Sequence, residues 1–215
     1  MERLIQVENI VKSFRDKKQQ VVAVDHVFLY LDEGEILGII GESGSGKSTV
    51  LRLLSGILKP DEGAVMLFDK PLDTNDRSRF RDLQMIFQDA RASFDKQYTI
   101  EQSLNEVRKH LNPNALENHF LLQEVGLDIS FASKYPYEMS GGECQRAAIA
   151  RALACDPKVL LCDEITSALD VITQEKICGL LTHLCHQHHI SAIFVSHDLP
   201  LVSNLCDRVM IMKDG

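Results

Sequence analysis

The stretch that decides the fold is residues 35–54, EILGIIGESGSGKSTVLRLL. EILGII, 35–40, is a short apolar run that stops at glycines, the pattern of a central strand buried on both faces of a parallel sheet. Gly41 to Thr49 then matches G-x-x-x-x-G-K-[ST], and a helix is predicted from Lys47 to about Leu58. Gly41, Gly44 and Gly46, spaced by Glu42, Ser43 and Ser45, let backbone N–H groups turn inward around phosphate oxygens. The helix N-terminus beneath adds a favourable dipole. Lys47 is placed to reach the β- and γ-phosphates of a nucleotide, Ser48 to ligate Mg²⁺ through its hydroxyl, and Thr49 to touch phosphate beside it. A plain glycine-rich turn needs neither the lysine nor the flanking strand and helix.

The chain has 215 residues, which suits one domain with two lobes. Hydrophobic residues make up 45% and charged residues 25%, ordinary for a globular protein with a sizeable core. Lys and Arg number 23 against 31 Asp and Glu, a formal charge of −8. That balance disfavours sequence-independent binding to nucleic acid, which comes from neutralising phosphates. None of the six cysteines forms a C-x-x-C pair, and several lie inside apolar runs such as VLLCDE, so a reduced cytosolic protein is expected rather than a disulfide or zinc framework. MERLIQVENI has no long apolar core, so no signal peptide is expected. No apolar run approaches the roughly 20 residues that span a bilayer.

Further strands are predicted at 3–7, 21–31, 64–68 and 83–88, with turns at 32–35 and 60–63. From about 89 to 155 apolar residues recur at helical spacing and strand signals vanish, which marks an inserted helical lobe. Strand patterns return at 158–164, 191–198 and 208–212, with a helix over TQEKICGLLTHLCHQHH between the first two. The expected organisation is a nucleotide-binding α/β core over 1–88 and 156–215, interrupted by a helical subdomain over 89–155.

A phosphate loop alone leaves GTPases, kinases and ATPases open. There is no N-K-x-D segment, which disfavours a GTPase. VLLCDE at 159–164 is an apolar strand ending in two carboxylates. They either cap a strand in solvent or act on the nucleotide: Asp163 holding Mg²⁺, directly or through water, and Glu164 polarising the attacking water. Beside the phosphate loop the second reading prevails. A second glycine-rich helix start, MSGGECQR at 139–146, has Ser140 and Glu143 in a capping-box pattern. Two glycines and a serine at a helix start also make an anion site. The chain's own phosphates are already served by Lys47's loop, so this site is unused or serves a nucleotide held by another molecule.

These motifs, in this order and spacing, resemble an ABC-transporter ATPase subunit over essentially the whole chain: the Walker A loop 41–49, Gln88 in MIFQDA, the signature SGGECQR at 140–146, the Walker B strand 159–163 with Glu164, SALD at 167–170 and His197 in VSHD. The resemblance implies a P-loop NTPase (RecA-like) α/β sheet core with an N-terminal antiparallel β subdomain and an inserted α-helical subdomain. It implies ATP and Mg²⁺, and two subunits paired head to tail, each ATP held between one subunit's phosphate loop and the other's Ser140, Gly141 and Gly142. Phe14 then stacks on adenine, its alternative being a core aromatic. Gln88 ligates Mg²⁺ and water, Asp170 links the two sites, and His197 contacts the γ-phosphate and orients Glu164.

YPYEMSGGECQRAAIARAL, DEITSALDVITQEKI and HDLPLVSNLCDRVMIM are similar to the ATPases of oligopeptide, dipeptide and nickel importers. That implies separate transmembrane permease subunits, a second ATPase subunit (identical or different), an indirect solute-binding protein, no nucleic acid, and a cytoplasmic, peripheral position on the inner face of the cell membrane. Cys144 in the signature, Ile165 where relatives mostly have proline, and the loosely matching segment 89–96 depart from the pattern. Two rival functions are a soluble ABC ATPase of repair or translation, which needs coiled-coil insertions or paired domains, and a small-molecule kinase, which needs an acceptor pocket and no SGG loop. THLCHQHH at 182–189 carries either a solvated helix end or a Ni²⁺, Zn²⁺ or Co²⁺ site. Lys213-Asp214-Gly215 reads as a hairpin turn after strand 208–212 with no partner strand following, as in a truncated or shortened form.

Overall fold

A computed structural model describes residues 2–16 and 19–215. In chain order the elements are β1 (Arg3–Asp16), β2 (Gln19–Asp32), β3 (Ile36–Ile40), α1 (Lys47–Leu54), β4 (Glu62–Leu67), β5 (Lys70–Pro71), α2 (Arg79–Asp82), β6 (Leu83–Ile86), α3 (Ile100–His110), α4 (Asn118–Glu124), α5 (Gly141–Leu153), β7 (Val159–Asp163), α6 (Val171–His188), β8 (Ser191–Ser196), α7 (Leu199–Leu205) and β9 (Arg208–Ile211). They divide into two compact units, Met1–Asp76 with Ile190–Gly215, and Arg77–His189.

The first unit holds an antiparallel sheet in the order β2-β1-β4-β5. β1 runs well past the predicted 3–7. The alternation breaks because Asn9 takes a left-handed φ of 55°, and the β1–β2 register shifts between Val7 and Ile10. Such a bulge absorbs one residue, and the strand then continues. The Asn9 side chain meets His26 Nδ1 at 2.9 Å, and His26 is itself left-handed. Lys12 Nζ and the backbone N–H of Ser13 both donate to the Asp61 carboxylate (2.6 and 2.8 Å), tying the exit turn after α1 to β1.

In the same unit β3 pairs in parallel with β8 on one side and β9 on the other. Every residue of β3 and β8 is buried, which is why β3 and the centre of β8, Ala192–Val195, read as apolar runs. α1 buries Val50, Leu51, Leu53 and Leu54. It ends at Leu54, short of the predicted Leu58. β9 finds its partner in the sequence-distant β3, Met212 N–H donates to Ile40 O (2.7 Å), and Asp25 N–H donates to Gly215 O (2.9 Å). α7 went unread in the sequence, although Asp198 caps it by accepting from Leu201 N–H and Pro200 sits in its first turn.

The second unit pairs β6 and β7 in parallel, Leu83↔Val159 through Ile86↔Cys162. Between 89 and 155 its regular elements are all helical. Thr99 and Gln102 close a capping box at α3. α5 is buried nearly all round, and the side chain of Asn112 donates to Ala154 O (3.0 Å) at its end. Arg151 reaches from α5 to Ser93 O and Oγ (2.7 and 2.9 Å) and lies over the Phe94 ring. Among the described residues no helix is long and apolar enough to cross a membrane.

All six cysteines are thiols, and five are buried. Burial pushes the Cys155 and Cys185 thiols up to about 12. Thiolate is the reactive form. Titrating the native protein with a thiol reagent at pH 8 is therefore expected to label Cys206 first and leave Cys155 and Cys185 unmodified until denaturant is added.

Candidate functional site

In the first unit the loop 41–46 joins β3 to α1. Gly44 and Gly46 take φ of 85° and 100°, the left-handed region closed to most side chains. Gly46 has a second constraint, since a Cβ there would stand 2.0 Å from the Ala23 carbonyl oxygen on β2. Lys47 is 3% exposed, and its Nζ donates to the carbonyls of Gly41 and Glu42, both at 2.8 Å. The loop is thus wrapped around its own ammonium group. α1 begins with no side-chain cap and no acid in its first turn, as suits a helix start that receives an anion. Ser45 Oγ is buried without a hydrogen-bond partner within the protein. A phosphate oxygen would satisfy that orphaned donor, so the loop fits a triphosphate.

Phe14 is 41% exposed near the end of β1, paired with Val21 on β2, close in register to the Ala23 that backs Gly46. It is an accessible aromatic, not a core one. His197 follows the last residue of β8 and is exposed.

In the second unit Asp163 ends β7 at 5% exposure. Glu164 follows with a φ of 45°, rare for a residue that is not glycine. Such outliers cluster at functional sites. Ile165 behind it is buried. The loop onward to Asp170 carries two interactions that the sequence did not reveal. Gln88 Nε2 donates to Ser167 Oγ (3.0 Å), so the glutamine singled out by motif meets the loop that begins at Glu164. Gln174 Nε2 donates to the carbonyls of Thr166 and Leu169, both at 3.0 Å. These are tertiary contacts with no local pattern to announce them.

Ser140 caps α5 as its spacing predicted: its Oγ accepts from Glu143 N–H (3.3 Å), and the Glu143 carboxylate accepts from Ser140 N–H (2.8 Å). The Ser140 amide is the main reason the Glu143 carboxyl titrates below the usual range, with the Ser140 side chain next. A depressed folded-state value means that this stabilisation is full above the unfolded pKa and lost as pH falls through the folded one. Ser140→Ala is expected to lower stability by about 1 kcal/mol in thermal melts, a deficit that changes little with pH because the backbone amide holding the Glu143 carboxylate survives the substitution. Cys144 fits the signature helix as a small buried group, its thiol donating to Pro136 O (3.2 Å).

Gly141 and Gly142 face the start of α6. A Cβ on Gly142 would stand 2.8 Å from Thr173 Cγ2, and one on Gly141 would stand 3.3 Å from Leu169 Cδ2. Asp170 caps α6, accepting from Thr173 Oγ1 (2.7 Å) and Thr173 N–H (3.0 Å), which hold its carboxyl below the ordinary aspartate range. Ser140, Gly141, Gly142 and Asp170 thus line one cleft of about 590 Å³, with Asp128, Phe131 and Arg146 on its wall. The structure brings the signature and the SALD acid together within one unit.

The histidine-rich end of α6 builds no comparable centre. Cys185 is buried with a raised thiol, His183, His186 and His189 are exposed, and His188 lies 3.3 Å from Glu124. Among the described residues no group of three or more His, Cys, Asp or Glu is arranged to hold a metal ion.

The strand–loop–helix around Lys47, the parallel strands and the antiparallel β subdomain define a P-loop nucleotide-binding cassette of the α/β class. The family model described as ABC transporter matches residues 24–167, and the chain belongs to that family. It is 41% identical over 203 residues to the oligopeptide transport ATP-binding protein OppF of Salmonella typhimurium, covering 90% of this chain and 61% of that protein. It is 38% identical over 221 residues to the metal-staphylopine import system ATP-binding protein CntF of Staphylococcus aureus, covering 99% of this chain and 88% of that protein. The dimeric structure of MJ0796, a bacterial ABC transporter cassette, matches with a TM-score of 0.87 at 31% identity, over 98% of this chain and 95% of that one.

Proposed function

We propose that the chain is the ATP-binding and ATP-hydrolysing subunit of an importer for peptides, nickel or metal chelates. The observation that carries this reading is the presence of two glycine-rich helix starts in one chain: the loop wrapped around Lys47, and the start of α5, which opens with Asp170 into a cleft. A chain that hydrolyses its own nucleotide alone has use for one. Two copies, or this chain and a related one, paired head to tail would use both, each Ser140–Gly142 segment completing the site on the partner's phosphate loop.

In this reading Gly41 to Thr49 bind the triphosphate, with Lys47 exchanging loop carbonyls for phosphate oxygens, and Phe14 stacks on adenine. Ser48, Gln88 and Asp163 are the residues that would hold Mg²⁺. When bound, the ion neutralises phosphate charge and fixes the leaving group's orientation. Glu164 accepts the proton of the attacking water, His197 orients that pair at the γ-phosphate, and Asp170 relates one site to the other. Residues 89–155 form the helical subdomain that moves with separate transmembrane permease subunits. The solute-binding protein acts through the permease, and nucleic acid has no part. The chain then sits on the cytoplasmic face of the cell membrane without entering it.

Purifying the tagged chain from detergent-solubilised membranes tests this. Integral membrane proteins are expected to co-purify, and the complex is expected to release phosphate from Mg-ATP. Release stimulated by nucleic acid, or transfer of phosphate to a small molecule, would overturn the reading in favour of its rivals.

A further inference from the structure

The loop from Glu164 to Asp170 must present a catalytic carboxylate at one end and a capping carboxylate at the other. It has little regular structure of its own. It is held by turns, Ser167 N–H to Glu164 O (3.0 Å) and Leu169 N–H to Thr166 O (3.1 Å), by Gln88 Nε2 on Ser167 Oγ (3.0 Å), and by the side chain of a second glutamine. Gln174 lies in the first turns of α6, its backbone N–H donating to Asp170 O (2.9 Å). Its Nε2 donates one hydrogen to Thr166 O and the other to Leu169 O. The amide orientation is fixed by chemistry. Turned over, the carboxamide oxygen would face two carbonyl acceptors with no hydrogen between them. Both donors are therefore committed to a loop that a helix alone would not hold. Thr166 is buried, and Glu164 stands in a left-handed conformation two residues before it. A strained conformation persists only where its surroundings over-determine it.

We infer that Gln174 is a positioning residue for hydrolysis. By clamping Thr166 and Leu169 it holds Glu164 in its left-handed conformation and fixes the approach of Asp170 to the signature cleft. This rests on the assignment of Glu164 as the base that activates water. Gln174 touches neither substrate nor metal in this role, so its loss disturbs the step and not the binding.

The test compares Gln174→Glu and Gln174→Met with the parent in the purified complex. Methionine keeps the apolar stem and bulk, whereas glutamate keeps the shape and loses both donors. Both are expected to keep KM for ATP within about twofold and to lower kcat roughly ten- to a hundredfold, the scale of a small misplacement of a reacting group. The glutamate variant alone is expected to recover kcat relative to the parent as the pH is lowered, because a protonated carboxyl regains one donor. Hydrogen exchange at the Ser167 and Leu169 amides reports on the clamp without any turnover, and both amides are expected to lose protection in the two variants. Unchanged exchange, or parental kcat with lost protection, would overturn the inference. Protection lost in the two variants, together with a parent that hydrolyses no ATP, would sink the assignment of function and leave the clamp standing.

Discussion

Glu164→Gln is expected to lower kcat by about 10²–10⁴-fold, the usual contribution of a general base, and to leave the protein holding uncleaved ATP. Glutamine has nearly the same volume and no proton-accepting carboxylate. Little else should change, because the residue's conformation is set from outside its side chain. Its carbonyl accepts from Ser167 N–H, and Ile165 beyond it is buried. Asp163 is untouched at the end of β7. Light scattering with and without Mg-ATP then reads the consequence. If ATP lies between the Lys47 loop of one subunit and the Ser140–Gly142 segment of another, blocked hydrolysis traps the pair, and the mass doubles. A variant that binds ATP and stays a monomer places a non-identical chain at the second site. Undiminished turnover removes Glu164 from the role of base.

The features legible in the sequence rest on local rules. Glycines at Gly44 and Gly46 and a lysine after them describe a phosphate cradle because left-handed turns and a helix start are recognisable from local sequence alone. Ser140 and Glu143 cap α5 for the same reason: the two residues satisfy each other three positions apart. β3 and β8 are legible because strands buried on both faces are apolar along most of their length. The missed features all belong to partners far along the chain. β9 reads as a strand, but its parallel pairing with β3 joins Arg208 to Leu37, a neighbour that no local pattern announces. β1 looked short because a left-handed Asn9 breaks the alternation without ending the strand. Gln174 was invisible because glutamine in a helix is ordinary, and only folding puts two carbonyls within its reach. Conversely the cluster of histidines near 186 left a solvated helix end and a metal site both open, because helical spacing brings residues to one face. The fold turns Cys185 inward and leaves most of the imidazoles outside.

Gly46→Ala is expected to be far more damaging than Gly44→Ala, although both glycines are left-handed. Placing a side chain in that region costs about 1–2 kcal/mol at either position. At Gly44 that is the whole cost, since a methyl group there meets no atom within 4 Å. At Gly46 the methyl would overlap the Ala23 carbonyl oxygen at 2.0 Å and the end of the Met212 side chain at 2.7 Å. Methionine can swing away, but the carbonyl belongs to Ala23 of β2, a bulge residue held on both sides by Val22 and Val24, which pair with Ser13 and Lys12 of β1. The loop must move instead, and with it the start of α1 and the carbonyls of Gly41 and Glu42 that hold Lys47. Gly46→Ala is therefore expected to lose more than about 3 kcal/mol of stability, in the range reserved for backbone strain and core overlap, and at least a hundredfold in ATP affinity, about 2.7 kcal/mol. Gly44→Ala should melt within a few degrees of the parent and retain most of its binding. Denaturant titration and fluorescent-nucleotide binding on the two variants separate the costs. Equal losses in both would mean that backbone conformation alone governs the loop and that its packing against β2 contributes nothing.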